Sequence, residues 1–101
     1  MYTTVRKYEG VTNPQEASRK VEEGFVPLIS AMPGFVEYQW VDLGQGSMLS
    51  ISVFDALGRA IESNQAAASW VAKNLPSVMA QPSRIENGKV VARKSASNPN
   101  A

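Results

Sequence analysis

The stretch FVEYQWVDLGQGSMLSISVF, residues 35–54, decides the fold because it predicts a β-hairpin. Apolar and polar residues alternate along residues 35–42 and again along Ser47–Phe54, as they do in half-buried strands. The segment between them, LGQGS, carries two glycines and is typical of a tight turn. The residues that share one side of each strand in this pattern are Val36, Tyr38 and Trp40, and Leu49, Ile51 and Val53.

Both faces of this hairpin carry apolar side chains. Phe35 and Val41 lie on the side opposite the tyrosine and the tryptophan, and Met48 and Phe54 flank two serines opposite the leucine row. A sheet that is apolar on both faces needs a cover on each. Helices cover one face, and we expect a second copy of the chain to cover the other about a two-fold axis. The sequence therefore predicts a homodimer formed through the sheet; the alternative is a monomer with a few exposed aromatic residues.

The chain before the hairpin predicts one strand and one helix. Tyr2–Tyr8, YTTVRKY, is rich in β-branched and aromatic residues, which favours a strand. Asn13 and Pro14 fit the N-cap and the first position of a helix whose apolar residues recur at spacings of three and four. Because Pro27 cannot donate a backbone hydrogen bond, we expect a kink or an early break of the helix there.

The chain after the hairpin predicts a second helix and a last strand. Asp55 fits the N-cap of a helix that runs from residue 56 to about residue 75. Asn87 and Gly88 form a turn signal, and we expect the last strand at roughly residues 89–93. The resulting βαββαβ order predicts a ferredoxin-like α+β fold, a four-stranded antiparallel sheet with two helices on one face.

Length and composition limit both the architecture and the chemistry. A chain of 101 residues suits one core, so we expect a single domain over residues 1–94 and a disordered polar tail over residues 95–101. The absence of cysteine excludes disulfides, and the absence of histidine removes the commonest general base and haem ligand. A formal net charge of +1 gives no basis for nucleic-acid binding. With neither an apolar span nor a signal segment, we expect no membrane partner and a cytoplasmic location.

The second predicted helix places an amide on its inner side. At about 100° per residue, Asn64 falls within the apolar face, and Trp70 falls about a third of a turn away, near its edge. Asn64 is then either a core amide satisfied by a strand backbone, a serine or a buried water, or a pocket group that binds a carbonyl or phenolate oxygen. The apolar residues that define this predicted face are Leu57, Ile61, Ala68, Val71 and Leu75.

Three further side chains are candidates for a ligand pocket. The hydroxyl of Tyr38 can hydrogen-bond a substrate, and Trp70 can form a pocket wall. Arg6 can neutralise an anionic ligand if its strand face looks toward the helices, although a surface or interface position is favoured. No nucleophile–base pair and no carboxylate cluster is recognisable, so the sequence predicts neither hydrolysis nor a metal site.

The segments GFVPLISAMPGF, VEYQW and ESNQAAASWVAKNL, together with the βαββαβ order, give the chain a family likeness. Over about residues 2–94 the chain resembles the dimeric α/β-barrel superfamily, and within it the antibiotic biosynthesis monooxygenase-like domains. The resemblance implies a homodimer whose sheets close into a barrel. It also implies a small-molecule pocket between sheet and helices in each subunit.

This resemblance implies two kinds of chemistry, of which the sequence favours one. Some members of the superfamily oxygenate polycyclic phenols without metal or flavin, and others degrade haem with an asparagine on the first strand and a tryptophan and a histidine on the second helix. The chain has no histidine and no asparagine in its first strand, and only Trp70 matches, so we do not expect haem degradation. The resemblance thus implies a monooxygenase that needs no cofactor and acts on a small phenolic compound. The alternative is a non-catalytic dimeric module that binds a small ligand or a partner protein.

Overall fold

The computed structural model describes residues 1–96 of the chain. Residues 97–101, most of the predicted disordered tail, lie outside the described part. Residues 1–96 form four strands and three α-helices, with a π-helical turn between the first two helices. The elements are β1 (Tyr2–Tyr8), α1 (Pro14–Lys20), the π turn (Val21–Phe25), α2 (Val26–Ser30), β2 (Phe35–Gly44), β3 (Ser47–Phe54), α3 (Leu57–Asn74) and β4 (Arg84–Lys89).

The four strands form one antiparallel sheet in the order β2-β3-β1-β4. Side chains of β1 bond directly to α3, since Thr4 and Arg6 both donate to Asn64. The helices and the π turn cover this same face, where Phe25 and Ile29 pack into the core with Phe54. The predicted ferredoxin-like fold is therefore confirmed.

A β-bulge near the start of β2 changes the predicted faces of the hairpin. Phe35 pairs with Phe54, whereas Glu37 pairs with Val53, so Val36 is an extra residue without a partner on β3. The bulge reverses the alternation, and Phe35 joins Tyr38 on the helix-facing side. The prediction that Phe35 and Tyr38 lie on opposite faces of the strand was wrong, because strict alternation does not account for an inserted residue.

The first helix begins as predicted and then changes its geometry. The side chain of Asn13 accepts a hydrogen bond from the backbone nitrogen of Glu16 at 3.1 Å, and Pro14 opens the helix. The irregularity expected near Pro27 takes the form of the π turn, in which the nitrogen of Val26 donates to the carbonyl of Val21. A π turn accommodates one extra residue in a helix, and here it precedes the proline that has no N–H to donate.

Two details of the second half of the chain differ from prediction. Helix α3 has Ala56 as its N-cap residue, without a side-chain cap, so the predicted cap at Asp55 was wrong. The carboxylate of Asp55 instead pairs with Arg59 at 3.4 Å, and its backbone nitrogen donates to Gly34. The tight link between the end of β3 and Gly34 holds Asp55 outside the helix.

The last strand, Arg84–Lys89, begins earlier than predicted. Asn87 and Gly88, expected to turn, lie inside it and pair with Thr4 and Thr3 of β1. Pairing along the free edge of β1 overrides the local turn preference of these two residues. Within the described part of the chain, no helix is both long enough and apolar enough to cross a membrane. The cytoplasmic location stays a prediction.

The face of the sheet opposite the helices carries the predicted apolar row of β3. Val5 pairs with Ile51 and Val41 pairs with Leu49, so aliphatic side chains from three strands adjoin there. These four side chains are only partly buried in the single chain. This surface, defined by Val5, Val41, Leu49, Ile51 and Val53, is called the open face below.

Candidate functional site

The site is built around Arg6, whose side chain has 0% exposure. The sequence favoured a surface or interface position for Arg6, and this prediction was wrong. Strand β1 turns Thr4, Arg6 and Tyr8 toward the helices, and all three are buried. The inward orientation of this row could not be predicted from the sequence, because two of its three residues are polar and burial is usually inferred from apolar side chains.

The guanidinium of Arg6 bonds only to neutral groups. Its Nη2 donates to Ser52 Oγ at 2.7 Å and to Ser50 Oγ at 3.0 Å. Its Nη1 donates to Asn64 Oδ1 at 2.8 Å and to Ser63 Oγ at 3.3 Å. Its Nε is buried and has no partner among residues 1–96.

Arg6 also has no counter-ion among residues 1–96. The ion pairs between described side chains all involve substantially exposed residues, and none of them includes Arg6. Burial lowers the pKa of the guanidinium from its usual value, which reflects the cost of removing its charge from water. A buried cation without a carboxylate is therefore a place where an anion would be stabilised.

Asn64 connects α3 to this cation. Its Oδ1 accepts hydrogen bonds from Thr4 Oγ1 at 2.9 Å and from Arg6, and its Nδ2 donates to Asn87 Oδ1 at 3.2 Å. The amide is thus satisfied by two strands, but its partners are not the serines that sequence analysis suggested. Ser50 and Ser52 bond Arg6 instead.

The buried face of α3 is rotated from the predicted one. Leu57 and Ile61 are 43% and 49% exposed, and Asn64 is half-buried at the edge rather than at the centre. Trp70, expected near the edge, is buried. The residues that face the sheet are Ala60, Ser63, Ala67, Trp70 and Val71. Small residues are needed there because Arg6 and the serines of β3 already fill the space beneath the helix.

Tyr38 extends the hydrogen-bonded network. Its hydroxyl lies 2.8 Å from Ser50 Oγ, which in turn accepts from Arg6. Burial raises the pKa of Tyr38 to about 12, and burial also raises the pKa of Tyr8. Both phenols are therefore neutral at physiological pH, and neither is suited to act as a base there.

Phe25, on the π turn, contacts three of the four predicted site residues, and the fourth, Asn64, joins them through Arg6. Its ring centroid lies 5.4 Å from that of Tyr38 and 5.5 Å from that of Trp70. The Arg6 Cζ atom lies 5.9 Å from the same centroid. Phe25 belongs to the apolar residues that recur at spacings of three and four in the first helix, and nothing in that spacing predicts the π turn or a position in the site.

Trp70 packs closely on the backbone of the π turn. A Cβ atom added at Gly24 would lie 3.1 Å from Trp70 Cζ2, so only glycine leaves room for the indole in its present position. On the other side of the site, Trp40 Nε1 donates to Ser18 Oγ at 3.0 Å. The two tryptophans thus contact the helical segment on either side of Phe25.

The space inside the site is small. A cavity of about 10 Å³ lies between the sheet and α3, which is room for about one water molecule. Its walls include Tyr8, Phe25, Tyr38, Ser50 and Trp70. Outside it, a groove of about 350 Å³ runs between the first helical segment and β2. The groove is lined by Ser18, Val21, Glu22, Val26, Tyr38, Trp40 and Asp42.

These groups define what the site can do chemically. It can stabilise a negative charge through Arg6 and hydrogen-bond a ligand through Tyr38 or Asn64. Among residues 1–96, no carboxylate pairs with Arg6, and the two buried tyrosines are not suited to remove a proton near neutral pH. The chain has no histidine or cysteine, so the site also lacks the usual protein ligands of haem and zinc.

Comparisons with known proteins identify the fold through solved structures. No protein-family model matches the chain, and no curated protein sequence matches it. A candidate antibiotic biosynthesis monooxygenase from Deinococcus radiodurans is similar at 16% identity and a TM-score of 0.66, over 97% of this chain and 100% of that one. SnoaB, a cofactor-independent oxygenase from Streptomyces nogalater, is similar at 19% identity and a TM-score of 0.60, over 96% of this chain and 97% of SnoaB.

MupZ from Pseudomonas fluorescens is also similar, at 15% identity and a TM-score of 0.66 over 85% of this chain. The chain spans 65% of the length of MupZ. At these identities the similarities show the fold. The sequence resemblance to antibiotic biosynthesis monooxygenase-like domains is confirmed at the level of the fold.

Proposed function

We propose that the protein is a monooxygenase that needs no cofactor and acts on a small phenolic compound bound between the sheet and the helices. The observation that carries this proposal is the buried guanidinium of Arg6, which has no carboxylate partner among residues 1–96. A phenolate would supply the missing negative charge. Tyr38, which lines both the cavity and the groove, would hydrogen-bond its oxygen or a neighbouring carbonyl, and Asn64 would hold the guanidinium in place.

The chemistry uses the reactivity of the phenolate itself. An electron-rich phenolate attacks O₂ through the ring carbon para to its oxygen, a C–O bond forms, and the negative charge moves to the peroxide. The peroxide takes a proton from water, and the hydroperoxide then loses water and leaves a quinone, so phenol and O₂ become quinone and H₂O. The guanidinium stabilises the anion on both sides of this step, which is the electrostatic role that fixed charges in a dry site perform best.

The absence of a base limits the substrate. Tyr38 is neutral because its pKa is about 12, and no carboxylate adjoins Arg6 in the described chain. The phenol must therefore arrive ionised or lose its proton to water under the influence of Arg6. Phenols acidified by a conjugated carbonyl meet this requirement better than simple phenols.

The fold neighbours support the same activity. SnoaB, described as a cofactor-independent oxygenase, has the same architecture, although only 19% of its residues are identical. The two proteins need not share a substrate, because one fold carries many different sites. The support is for the type of reaction.

Oxygen consumption tests the proposal directly. Purified protein is incubated with a panel of naphthols, anthrones and hydroxyquinones while dissolved O₂ is measured. We expect uptake with at least one ionisable member and at least about a hundredfold loss in Arg6→Met, in line with removal of one group that stabilises developing charge. Arg19→Met, which removes an exposed arginine on α1, is the matched control. Folded wild-type protein that consumes no oxygen across the panel would contradict the proposal.

A second function is a non-catalytic module that binds a ligand or a partner. The observation that favours it is the small cavity of about 10 Å³, which leaves no room for a substrate in the present arrangement. This alternative predicts binding of an aromatic anion without oxygen uptake. Binding and oxygen uptake measured on the same sample therefore separate the two functions.

We further propose that the protein is a homodimer formed through the open face. Aliphatic side chains of three strands adjoin there, and charged residues such as Lys7, Glu37 and Glu86 lie at its margins. A second copy would remove the aliphatic centre from water and leave the charges at a polar rim, as in stable interfaces. The two sheets would then pack against each other through the faces that the helices do not cover.

A further inference from the structure

We propose that the ring of Phe25 occupies the position that the ligand's ring takes in the complex, so that a planar aromatic anion binds by displacing Phe25 from Arg6. The inference rests on the anion-binding role proposed above for Arg6. It makes Phe25 the residue that determines which ligands enter. It also defines the ligand class as planar, aromatic and singly charged.

The surroundings of Phe25 are those that an aromatic ligand would require. The guanidinium carbon of Arg6 lies 5.9 Å from the ring centroid, within the range of a cation–π interaction. The edge of Tyr38 and the tilted indole of Trp70 approach the ring from other directions at 5.4 and 5.5 Å. The phenyl ring gives Arg6 a weak electrostatic partner, and a ring that carries a full negative charge would give it a strong one.

The present structure has no room for both rings. The inner cavity of about 10 Å³ holds one water, whereas a cavity that accepts benzene has a volume of about 150 Å³. The outer groove of about 350 Å³ is large enough for a small aromatic compound. Val21, Tyr38 and Trp40 line both spaces, so the two adjoin. Displacement of Phe25 would extend the groove inward to the guanidinium.

The π turn gives Phe25 a means of moving. The nitrogen of Val26 donates to the carbonyl of Val21, which places one residue more in this turn than an α-helix holds. Because side chains on a helix are about 100° apart, a shift of the turn by one residue would carry Phe25 off the guanidinium. Gly24 precedes Phe25 and adds no side chain that would oppose the change, and Pro27 already lacks the hydrogen bond that would hold a regular helix.

The mouth of the groove favours a single negative charge on the ligand. Glu22 and Asp42 line the groove, and neither forms an ion pair with a described cation. A second anionic group on the ligand would lie near these carboxylates and be repelled. The ligand's outer end is therefore neutral or cationic, and its charged end points toward Arg6.

Calorimetric binding with two isosteric probes tests the displacement. The probes are 2-naphthoate, a planar aromatic anion, and 2-naphthamide, its neutral counterpart. We expect Phe25→Ala to bind 2-naphthoate at least about tenfold more tightly than wild type, because the site no longer has to open. The matched control, Phe35→Ala, removes a ring that packs on Phe54 and should leave the affinity unchanged. Equal gains in affinity for both probes would overturn the proposal. They would indicate that the substitution creates space for any ring and that the charge of the ligand has no effect.

A spectroscopic measurement on the unmutated sequence covers the case in which Phe25→Ala does not fold. The chain has three phenylalanines, so 4-fluorophenylalanine gives three ¹⁹F resonances, of which Phe35 and Phe54 serve as internal controls. Saturating 2-naphthoate should shift the Phe25 resonance and leave the other two in place. Binding that leaves the Phe25 resonance unchanged would overturn the proposal, and so would the absence of binding. Neither readout requires turnover, so a lack of oxygen uptake would count against the proposed reaction and not against this inference.

Discussion

The Nη1 atom of Arg6 lies 2.8 Å from Oδ1 of Asn64, so a fully buried cation is bound to a neutral amide. No other charged side chain is buried within residues 1–96. A carboxylate at the position of Asn64 would have paired the charge and closed the site to anions. The amide holds the guanidinium in place and leaves its charge available, which is the arrangement that an anion-binding site requires.

The first prediction concerns the stability cost of this arrangement. Replacing Arg6 with methionine removes an unpaired buried charge while keeping much of the side-chain volume. The variant also leaves Asn64 and three serines without the donor that Arg6 gives them, so we expect the free energy of unfolding in urea to fall by no more than about 2 kcal/mol, even though oxygen uptake and anion binding are lost. A loss of more than about 3 kcal/mol would instead indicate that Arg6 serves mainly to hold the core together.

The second prediction concerns the amide itself. Asn64→Ala leaves Thr4 Oγ1 and one donor of Arg6 without their acceptor, so we expect a loss of about 1–3 kcal/mol in unfolding free energy. Gln65→Ala, at the exposed neighbouring position of α3, is the control and should change stability by less than about 0.5 kcal/mol. Chemical denaturation of the two variants side by side measures the difference. Equal stabilities would show that water replaces the amide at no cost.

The third prediction follows from the pKa of Tyr38, which burial raises from 10.0 to about 12. The folded state then holds the phenolic proton more tightly than the unfolded state. The resulting stability is present in full below pH 10 and is lost as the pH rises through about 12. Its full size is about 2–3 kcal/mol.

The Tyr38→Phe variant isolates this effect, because phenylalanine has no proton to lose. Urea unfolding between pH 8 and pH 11.5, a range chosen to bracket the usual tyrosine pKa of about 10, should show a shallower decline in the variant. Tyr8 and Arg6 are present in both proteins, so the comparison reports the loss of the Tyr38 hydroxyl together with its coupling to these two groups. Parallel curves for the two proteins would contradict the burial of the Tyr38 hydroxyl.

The fourth prediction compares two helical glycines. At Gly24 an added Cβ would lie 3.1 Å from Trp70 Cζ2, whereas at Gly58 it would meet nothing within 4 Å. We expect Gly58→Ala to raise the unfolding free energy by about 0.5–1 kcal/mol, since alanine is the better helix former. Gly24→Ala should lower it by about 1 kcal/mol and change the tryptophan fluorescence, because the indole must move. Equal gains in both variants would show that Trp70 does not pack on the π turn.

The fifth prediction tests the homodimer. Ile51 lies at the centre of the open face, where it pairs with Val5 and Gln39. Ile51→Lys would bury a charge in the proposed interface, so sedimentation equilibrium should show a monomer in place of a dimer. The control, Leu43→Lys, changes a residue that is 50% exposed near the hairpin turn and should leave the dimer intact. Wild-type protein that sediments as a monomer would contradict the prediction.

Local patterns in the sequence were sufficient to predict the main elements of the fold. Alternation in residues 35–54 predicted the hairpin, and the Asn13 cap and Pro14 marked the start of the first helix. These features depend on interactions between residues close in the chain, so they can be read without knowledge of the partners. The bulge at Val36 and the early start of β4 could not be read in this way, because each depends on pairing with another strand.

The sequence by itself determined the order of the elements, the apolar row of the open face and the absence of any histidine or cysteine chemistry. It also singled out Arg6, Tyr38, Asn64 and Trp70 as candidates. Only the tertiary structure decided that Arg6 is buried with no carboxylate partner in the described part of the chain, and that the Phe25 ring lies beside it. The reason is physical: hydrophobic periodicity assigns apolar residues to the interior, whereas here a guanidinium, a threonine and three serines occupy it. That polar interior is stable because polar side chains of β1, β3 and α3 form hydrogen bonds with one another across the core. Such long-range hydrogen bonds produce no periodic pattern in the sequence.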